Sequence, residues 1–313
     1  PNLPLQVNLT VPQAQYPFNN KDPLKIQDFN FTLDGNLATA QIQLKSAVSG
    51  MGIPNSDLAL QAVAHLSDIA INQLKLNTLN GTADLTGNLN WRDGVEWNGH
   101  LALAKMALGT YLADFPAIIS GSLNSQGKIT QDKQQISVSD IDLQGSLSQR
   151  PLRLTGNLHM AEQPLLNVQQ LTFTYGDNKI NAQGNLGSVS DFTLDINAPN
   201  LSGLLTGLSA SVNGKGAVTG NIMRPNLVVD LTAKQFHFRG INLAQASIKG
   251  QLNTEQQVQG QLNAHLNGFH YNDIKVNNLQ LSASGDEQKH SLQLISEGNP
   301  IAANMNIIGN FDR

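Results

Sequence analysis

Cysteine is absent from the 313 residues, which excludes disulfides, thiol catalysis and cysteine-ligated zinc and suits an oxidising compartment. Charge is scarce as well: 19 Lys and Arg against 23 Asp and Glu make 13 % of the chain, about half the usual share. A net charge of -4 without clustered Lys or Arg excludes the electrostatic footprint of a nucleic-acid binder. Aromatic residues are only 5 %. No apolar run approaches the roughly 18 residues of a membrane-spanning helix, and no basic start leads into an apolar stretch as a signal peptide does. Opening at Pro1 without Met and closing at Arg313 after a strand-like run, the sequence reads as a segment of a longer chain.

What is abundant is amide. Asn and Gln number 63, so the polar surface is neutral. Hydrophobic residues, 40 % of the chain, recur with period two, which places them on one face of a strand. Leu5-Gln6-Val7-Asn8-Leu9-Thr10-Val11 shows the pattern cleanly. It returns at Phe29, Phe31 and Leu33, at Leu58 to Leu66, and at Leu171, Phe173 and Tyr175. Phe192, Leu194 and Ile196 continue it, as do Leu227, Val229 and Leu231, then Leu279 and Leu281, and finally Ile301 to Ile307.

Asn80-Gly81, Gly176-Asp177-Asn178, Asn213-Gly214 and Asn267-Gly268 are turn signals that tolerate positive φ and join antiparallel neighbours. A second recurrence is Gly, a small polar residue, then an aliphatic, as in Gly184-Asn185-Leu186, Gly250-Gln251-Leu252 and Gly260-Gln261-Leu262. Glycine inside an alternating strand marks a bulge or bend. At about 12 residues per strand and turn the chain holds on the order of 24 strands, too many for one flat open sheet, so the sheet must curl, split or close. Two breaks interrupt the alternation. Ala104, Ala107, Leu108, Tyr111 and Leu112 have helical spacing and predict a short helix, with a softer boundary near 104–116. Pro199 to Leu205 predicts an irregular or one-turn crossover. Otherwise the chain reads as one all-β segment, 1–313.

Chemistry is hard to find. The seven histidines are scattered without a ligand pair, and His237 lies between Phe236 and Phe238 on the polar side of the alternation. Asp140 and Asp142 have the spacing of a carboxylate pair, yet nothing beside them supplies further metal ligands. Gly214-Lys215-Gly216 looks like a nucleotide loop but leads into a strand and not a helix. No catalytic residue, cofactor or metal is assigned. The interest lies in the apolar face itself, because few segments have a helical pattern that could cover it.

Leu171-Thr172-Phe173-Thr174-Tyr175-Gly176-Asp177-Asn178-Lys179-Ile180-Asn181-Ala182-Gln183-Gly184-Asn185-Leu186-Gly187, followed by Phe192 to Leu201, Gly216 to Gly220, Pro225-Asn226-Leu227 and the closing Gly309-Asn310-Phe311-Asp312-Arg313, resembles the TamB family, best over about 165–313. The resemblance implies a periplasmic β-taco, a long U-shaped antiparallel meander with a hydrophobic interior, related to bridge proteins that carry phospholipid between the inner and outer membranes. It also implies a barrel partner of the outer membrane, TamA, and a role in outer-membrane assembly and protein secretion, with the segment lying between two family parts that it lacks, an N-terminal membrane anchor and the C-terminal domain that engages the barrel. On this reading Leu5, Val7, Leu9, Val11, Phe29, Phe31 and Leu33 line the groove in the first part. Leu171, Phe173, Tyr175, Ile180, Phe192, Leu194, Ile196, Leu227, Val229 and Leu231 line it further on, with Leu279, Leu281, Leu292, Leu294, Met305 and Ile307 at the end. Three rivals remain: strand addition to an unfolded outer-membrane protein at an open sheet edge, a structural or adhesive β-helix, and a transmembrane barrel. The irregular spacing speaks against the β-helix, and the 16 scattered aromatics do not form the girdles that a barrel needs.

Overall fold

A computed structural model describes residues 3–17, 21–255, 257–300 and 302–310. Ile301 and the Phe311 to Arg313 terminus, both used in reading the sequence, lie outside the described residues. Among the described residues there are twenty strands and a single 3₁₀ turn, at Leu108–Thr110. The chain divides into two compact units, Pro1–Gln149 with His159–Glu162, and Arg150–Leu158 with Gln163–Arg313.

The first unit runs through β1 (Pro4–Tyr16), β2 (Leu24–Asn36), β3 (Thr39–Gly50), β4 (Ile53–His65), β5 (Asp68–Thr78), β6 (Gly81–Asn90), β7 (Val95–Ala107), β8 (Ile118–Ile129) and β9 (Gln134–Leu147). Each strand pairs antiparallel with the next in sequence. Residues 150–158 of β10 (Arg150–Met160) belong to the second unit, which continues with β11 (Leu166–Tyr175), β12 (Asn178–Leu186), β13 (Ser190–Ala198), β14 (Ser209–Asn221) and β15 (Arg224–Phe238). It ends with β16 (Ile241–Asn253), β17 (Gln259–Tyr271), β18 (Ile274–Asp286), β19 (His290–Asn299) and β20 (Ala303–Gly309). From β11 onward the pairing is again a strict antiparallel meander. The all-β curled meander expected from the alternation is the fold observed, with twenty strands in place of about 24 because many run to 13 residues.

The helical spacing at Ala104 to Leu112 does not become a helix. Ala104 and Ala107 belong to β7, and the chain makes only the short 3₁₀ turn and irregular turns before β8 begins at Ile118. A bulge between Leu103 and Met106, where Lys105 has φ 53, shifts the side-chain parity, and that shift imitates a 3.6-residue period in the sequence. The Pro199 crossover is a run of turns, with Leu204 N–H donating to Leu201 O at 3.1 Å.

Curling has local causes. Bulges interrupt the registers at Gln27/Asn30, Leu103/Met106, Ser122/Asn124 and Val168/Leu171, and each increases local twist. At Gly184, φ is 108, and a Cβ there would lie 1.8 Å from Asp191 O on the neighbouring strand. Only glycine fits that backbone. Gly127 serves close approach instead: a Cβ would lie 2.2 Å from the Trp97 ring, which packs flat across it while its Nε1 donates to Ser125 Oγ at 3.1 Å.

The units contain little sealed interior. The fully buried cluster in the second unit is small, built from Tyr175 and Asn178 beneath the crossover between β13 and β14. Tyr175 Oη donates to Ser202 O at 3.0 Å, and Asn178 Nδ2 donates to Tyr175 O and to Asn200 O, both at 2.6 Å. Asn200 N–H returns a bond to Asn178 Oδ1 at 2.9 Å. The Arg150 guanidinium lies 5.6 Å from the Tyr175 ring centre and donates to Asn200 O. Asn178 thus plugs a hairpin end whose backbone groups would otherwise be buried unpaired.

Candidate functional site

Antiparallel partners directly opposite each other share a face, so the registers show how the apolar positions join. In the first unit Leu9 lies opposite Phe31, and the row continues through Leu44, Leu60, Leu74, Leu85 and Leu101 to Leu123. One aliphatic lane therefore crosses eight strands. Val7 and Leu33 begin a parallel row with Ile42 and Ala62, Val11 faces Phe29, and Leu5 faces Gly35.

The second unit holds three such lanes. Leu171 starts one that passes Ala182, Leu194, Gly216, Val229, Gly250, Leu262, Ala283 and Leu292 to Ile307. Phe173 starts another through Ile180, Ile196, Gly214, Leu231, Ile248, Ala264, Leu281 and Leu294 to Met305. The third runs from Gly184 through Phe192, Val218, Leu227, Leu252, Gly260 and Gly285 to His290 and Gly309. Leu279 lies between Leu266 and Ser296.

The lining positions named from sequence therefore fall into shared rows within their units. They are half-buried or exposed, from Leu9 at 49 % and Ile307 at 43 % inward, and sheet neighbours, not a covering layer, account for the strand contacts. Tyr175 is different. It is wholly buried beneath the crossover, so it closes an end of the hairpin and offers no surface to a ligand.

Sequence reasoning missed Leu44, Leu74, Leu101, Ile248, Leu252 and Leu262 as lane residues. The signal was present in the Gly-x-aliphatic recurrence. Period two puts Gly250 and Leu252, or Gly260 and Leu262, on the same face, so the motif read as a bend also marks a rib beside a gap.

Between β15 and β19 the lanes bound a concave trough of about 1140 Å³, larger than ordinary small-molecule pockets of about 300–1,000 Å³. Leu227, Val229, Leu252, Val258, Leu262 and Leu292 supply its apolar wall, and Asp286, Glu287, Gln288 and His290 of the β18–β19 turn also line it. Asp286 Oδ1 accepts from the backbone N–H groups of Lys289 and Gln288, each at 2.8 Å. These bonds, Lys289 first, hold the Asp286 carboxyl below its ordinary 3.8, and nearby His290 acts in the same direction.

The opposite face is polar but not wholly neutral. Asp195, Lys215, Asp230 and Lys249 alternate across four strands, with Lys215–Asp195 at 3.3 Å and Lys249–Asp230 at 3.0 Å. The glycine-flanked Lys215 thus belongs to a strand-face ladder, as its strand context predicted. Asp140 occupies a bulge with φ 50 and accepts from Asn124 Nδ2 at 2.7 Å. His237 Nδ1 pairs with Asn242 Oδ1. Among the described residues no group of three or more His, Cys, Asp or Glu could hold a metal ion, and no helix is long and apolar enough to cross a membrane.

Long antiparallel meanders that leave a continuous aliphatic face uncovered define a class of groove proteins, in which the surface itself is the site. A family model described as "TamB, N-terminal domain" matches residues 1–313, and the chain belongs to the TamB family. The match covers the whole chain, where the motifs read from sequence matched best over about 165–313. "Translocation and assembly module subunit TamB" of Haemophilus influenzae is 41 % identical over 314 residues, covering 99 % of this chain and 24 % of that protein. An "Uncharacterized protein" of Buchnera aphidicola subsp. Schizaphis graminum is 16 % identical over 298 residues, 94 % of this chain and 29 % of that protein. The chain thus spans about a quarter of the length of these curated relatives. No solved structure matches it.

Proposed function

We propose that the apolar lanes of each unit carry phospholipid acyl chains through the periplasm between the inner and outer membranes. The segment acts within the translocation and assembly module named for the Haemophilus influenzae relative. The observation that carries this reading is uncovered apolar surface. Val7, Leu9, Ile248, Leu252, Met305 and Ile307, all on the apolar rows, are 37–49 % exposed, where apolar residues of a closed core are covered. An acyl chain gains about 0.8 kcal/mol per buried CH₂. An open trough covers roughly half of each chain, which leaves several kcal/mol of attraction and still permits movement along the lane. Head groups stay at the open side, no bond chemistry occurs, and the full-length parent is anchored in the inner membrane with its barrel partner TamA engaged elsewhere in the chain.

A photoreactive residue at Leu231 or Leu262, activated in cells, tests the reading. A lipid adduct supports it. An adduct to unfolded outer-membrane protein favours strand-addition scaffolding instead, and no adduct at either position overturns both.

A further inference from the structure

The turns of the second unit differ between its two rims. Because the strands alternate in direction, the turns at 187–189, 222–223, 254–258 and 287–289 lie along one rim, and those at 176–177, 199–208, 239–240 and 272–273 along the other. The second set uses Gly176-Asp177, Arg239-Gly240 and Asn272-Asp273, and the four leucines of the 199–208 crossover are half-buried. The first set carries a large, exposed apolar residue on three consecutive turns, Val189 at 75 %, Met223 at 85 % and Val258 at 42 %. Turn residues are ordinarily Gly, Asn, Asp or Ser.

Each of the three stands one residue before a strand, so the alternation of that strand sets its face. Counting back by twos from Leu227 on β15 puts Met223 with the lanes, and counting back from Leu262 on β17 puts Val258 with them. The same count from Phe192 on β13 puts Val189 on the opposite face. Val258 lines the trough, as the count requires. Met223 lies in the turn of the hairpin whose second strand brings Leu227 and Val229 to the same trough, about 10 Å along the rim at two strands per hairpin.

An acyl chain seated on Leu227 and Leu252 therefore finds apolar contact past the end of the sheet. We propose that Met223 and Val258 form an apolar lip of the trough, which holds the part of an acyl chain that overhangs the sheet edge. The inference rests on the lipid-groove reading and adds contacts outside the lanes that the reading itself does not require. Continuity with the trough wall selects the acyl chain as occupant. Two side chains fall far short of the roughly 800 Å² per partner of a stable protein interface. Glu255, Glu287 and Lys289, the charged residues on these turns, supply no cationic face for an anionic bilayer surface.

In the test a photoreactive residue replaces Met223, Val189, Asn272 or Leu262 in the whole chain, which is irradiated with phosphatidylcholine vesicles. Lipid adducts are expected at Leu262 and Met223, and at least tenfold fewer at the exposed Val189 and at Asn272 on the polar rim. With the photoreactive residue at Leu262, Met223→Asp should lower the adduct yield about fivefold, the effect of losing half-coverage of one such side chain. Met223→Leu and Val189→Asp should leave it unchanged. A Met223 yield no higher than that at Val189, a polypeptide adduct at Met223, or an unaltered Met223→Asp yield overturns the lip, while lipid at Leu262 leaves the groove intact. If Leu262 captures no lipid, the groove reading fails and the lip with it.

Discussion

At Gly184 a methyl group is too much. Its φ of 108 and the 1.8 Å approach of Asp191 O to any Cβ make Gly184→Ala a backbone collision, expected to cost about 2–4 kcal/mol. Gly207 has φ 76 but nothing within 4 Å, so Gly207→Ala should cost only about 1 kcal/mol, the penalty of the left-handed conformation. Urea unfolding of the two variants checks the contrast, and equal losses would refute the collision. Asn178 presents the opposite dependence, on a side chain and not on its absence. Asn178→Ala removes the side-chain partners of Tyr175 O and Asn200 N–H and leaves Asn200 O with Arg150 alone, which should lower stability by about 2–4 kcal/mol. Tyr175→Phe, which loses one bond to Ser202 O, should cost about 1 kcal/mol. The sequence showed an Asn in a turn at 178, but two of its three bonds reach Asn200, 22 residues away, a distance over which no local pattern operates.

The hairpin is the repeating element, and the β18–β19 turn shows how one is closed. Asp286 caps the turn through two backbone N–H groups, and its carboxyl is depressed below 3.8. The carboxylate therefore tightens the turn fully above that value, and the contribution disappears as pH falls through the lower folded value. Hydrogen exchange at Gln288 and Lys289 should quicken in acid relative to other turn amides, and Asp286→Asn should remove that difference. Strands and most turns were legible in the sequence because period-two alternation and Asn-Gly pairs are local signals. Lane membership across strands was legible only in part, since register is set by bulges. Asp28, Lys105, Asp140 and Gln170 hold φ near +50, and nothing in their residue types announces it. The same blindness turned β7 and its bulge into an apparent helix.

For the molecule as a groove, face assignment decides everything. Val228 and Val229 are neighbours, yet Val229 lies in a lane beside Gly216 and Gly250 while Val228 pairs with Ala217 and Gln251 on the polar face and is 54 % exposed. Val229→Arg should lower phospholipid copurifying with the chain about tenfold or more, because a charge then stands among apolar neighbours. Val228→Arg should leave it unchanged. Quantitative native mass spectrometry of both variants makes the comparison, and equal effects would mean that lipid does not ride on this face. The pairing scheme also bears on how such a chain varies in length. Within each unit a strand contacts the strands just before and just after it in sequence, so stability is close to a sum over adjacent pairs. Inserting or deleting one complete hairpin leaves the direction of every later strand, and the face each side chain occupies, as they were. A single added strand reverses the direction of everything that follows. Length in this architecture is therefore quantised in hairpins, and a meander of this kind can be lengthened or shortened without redesigning a core.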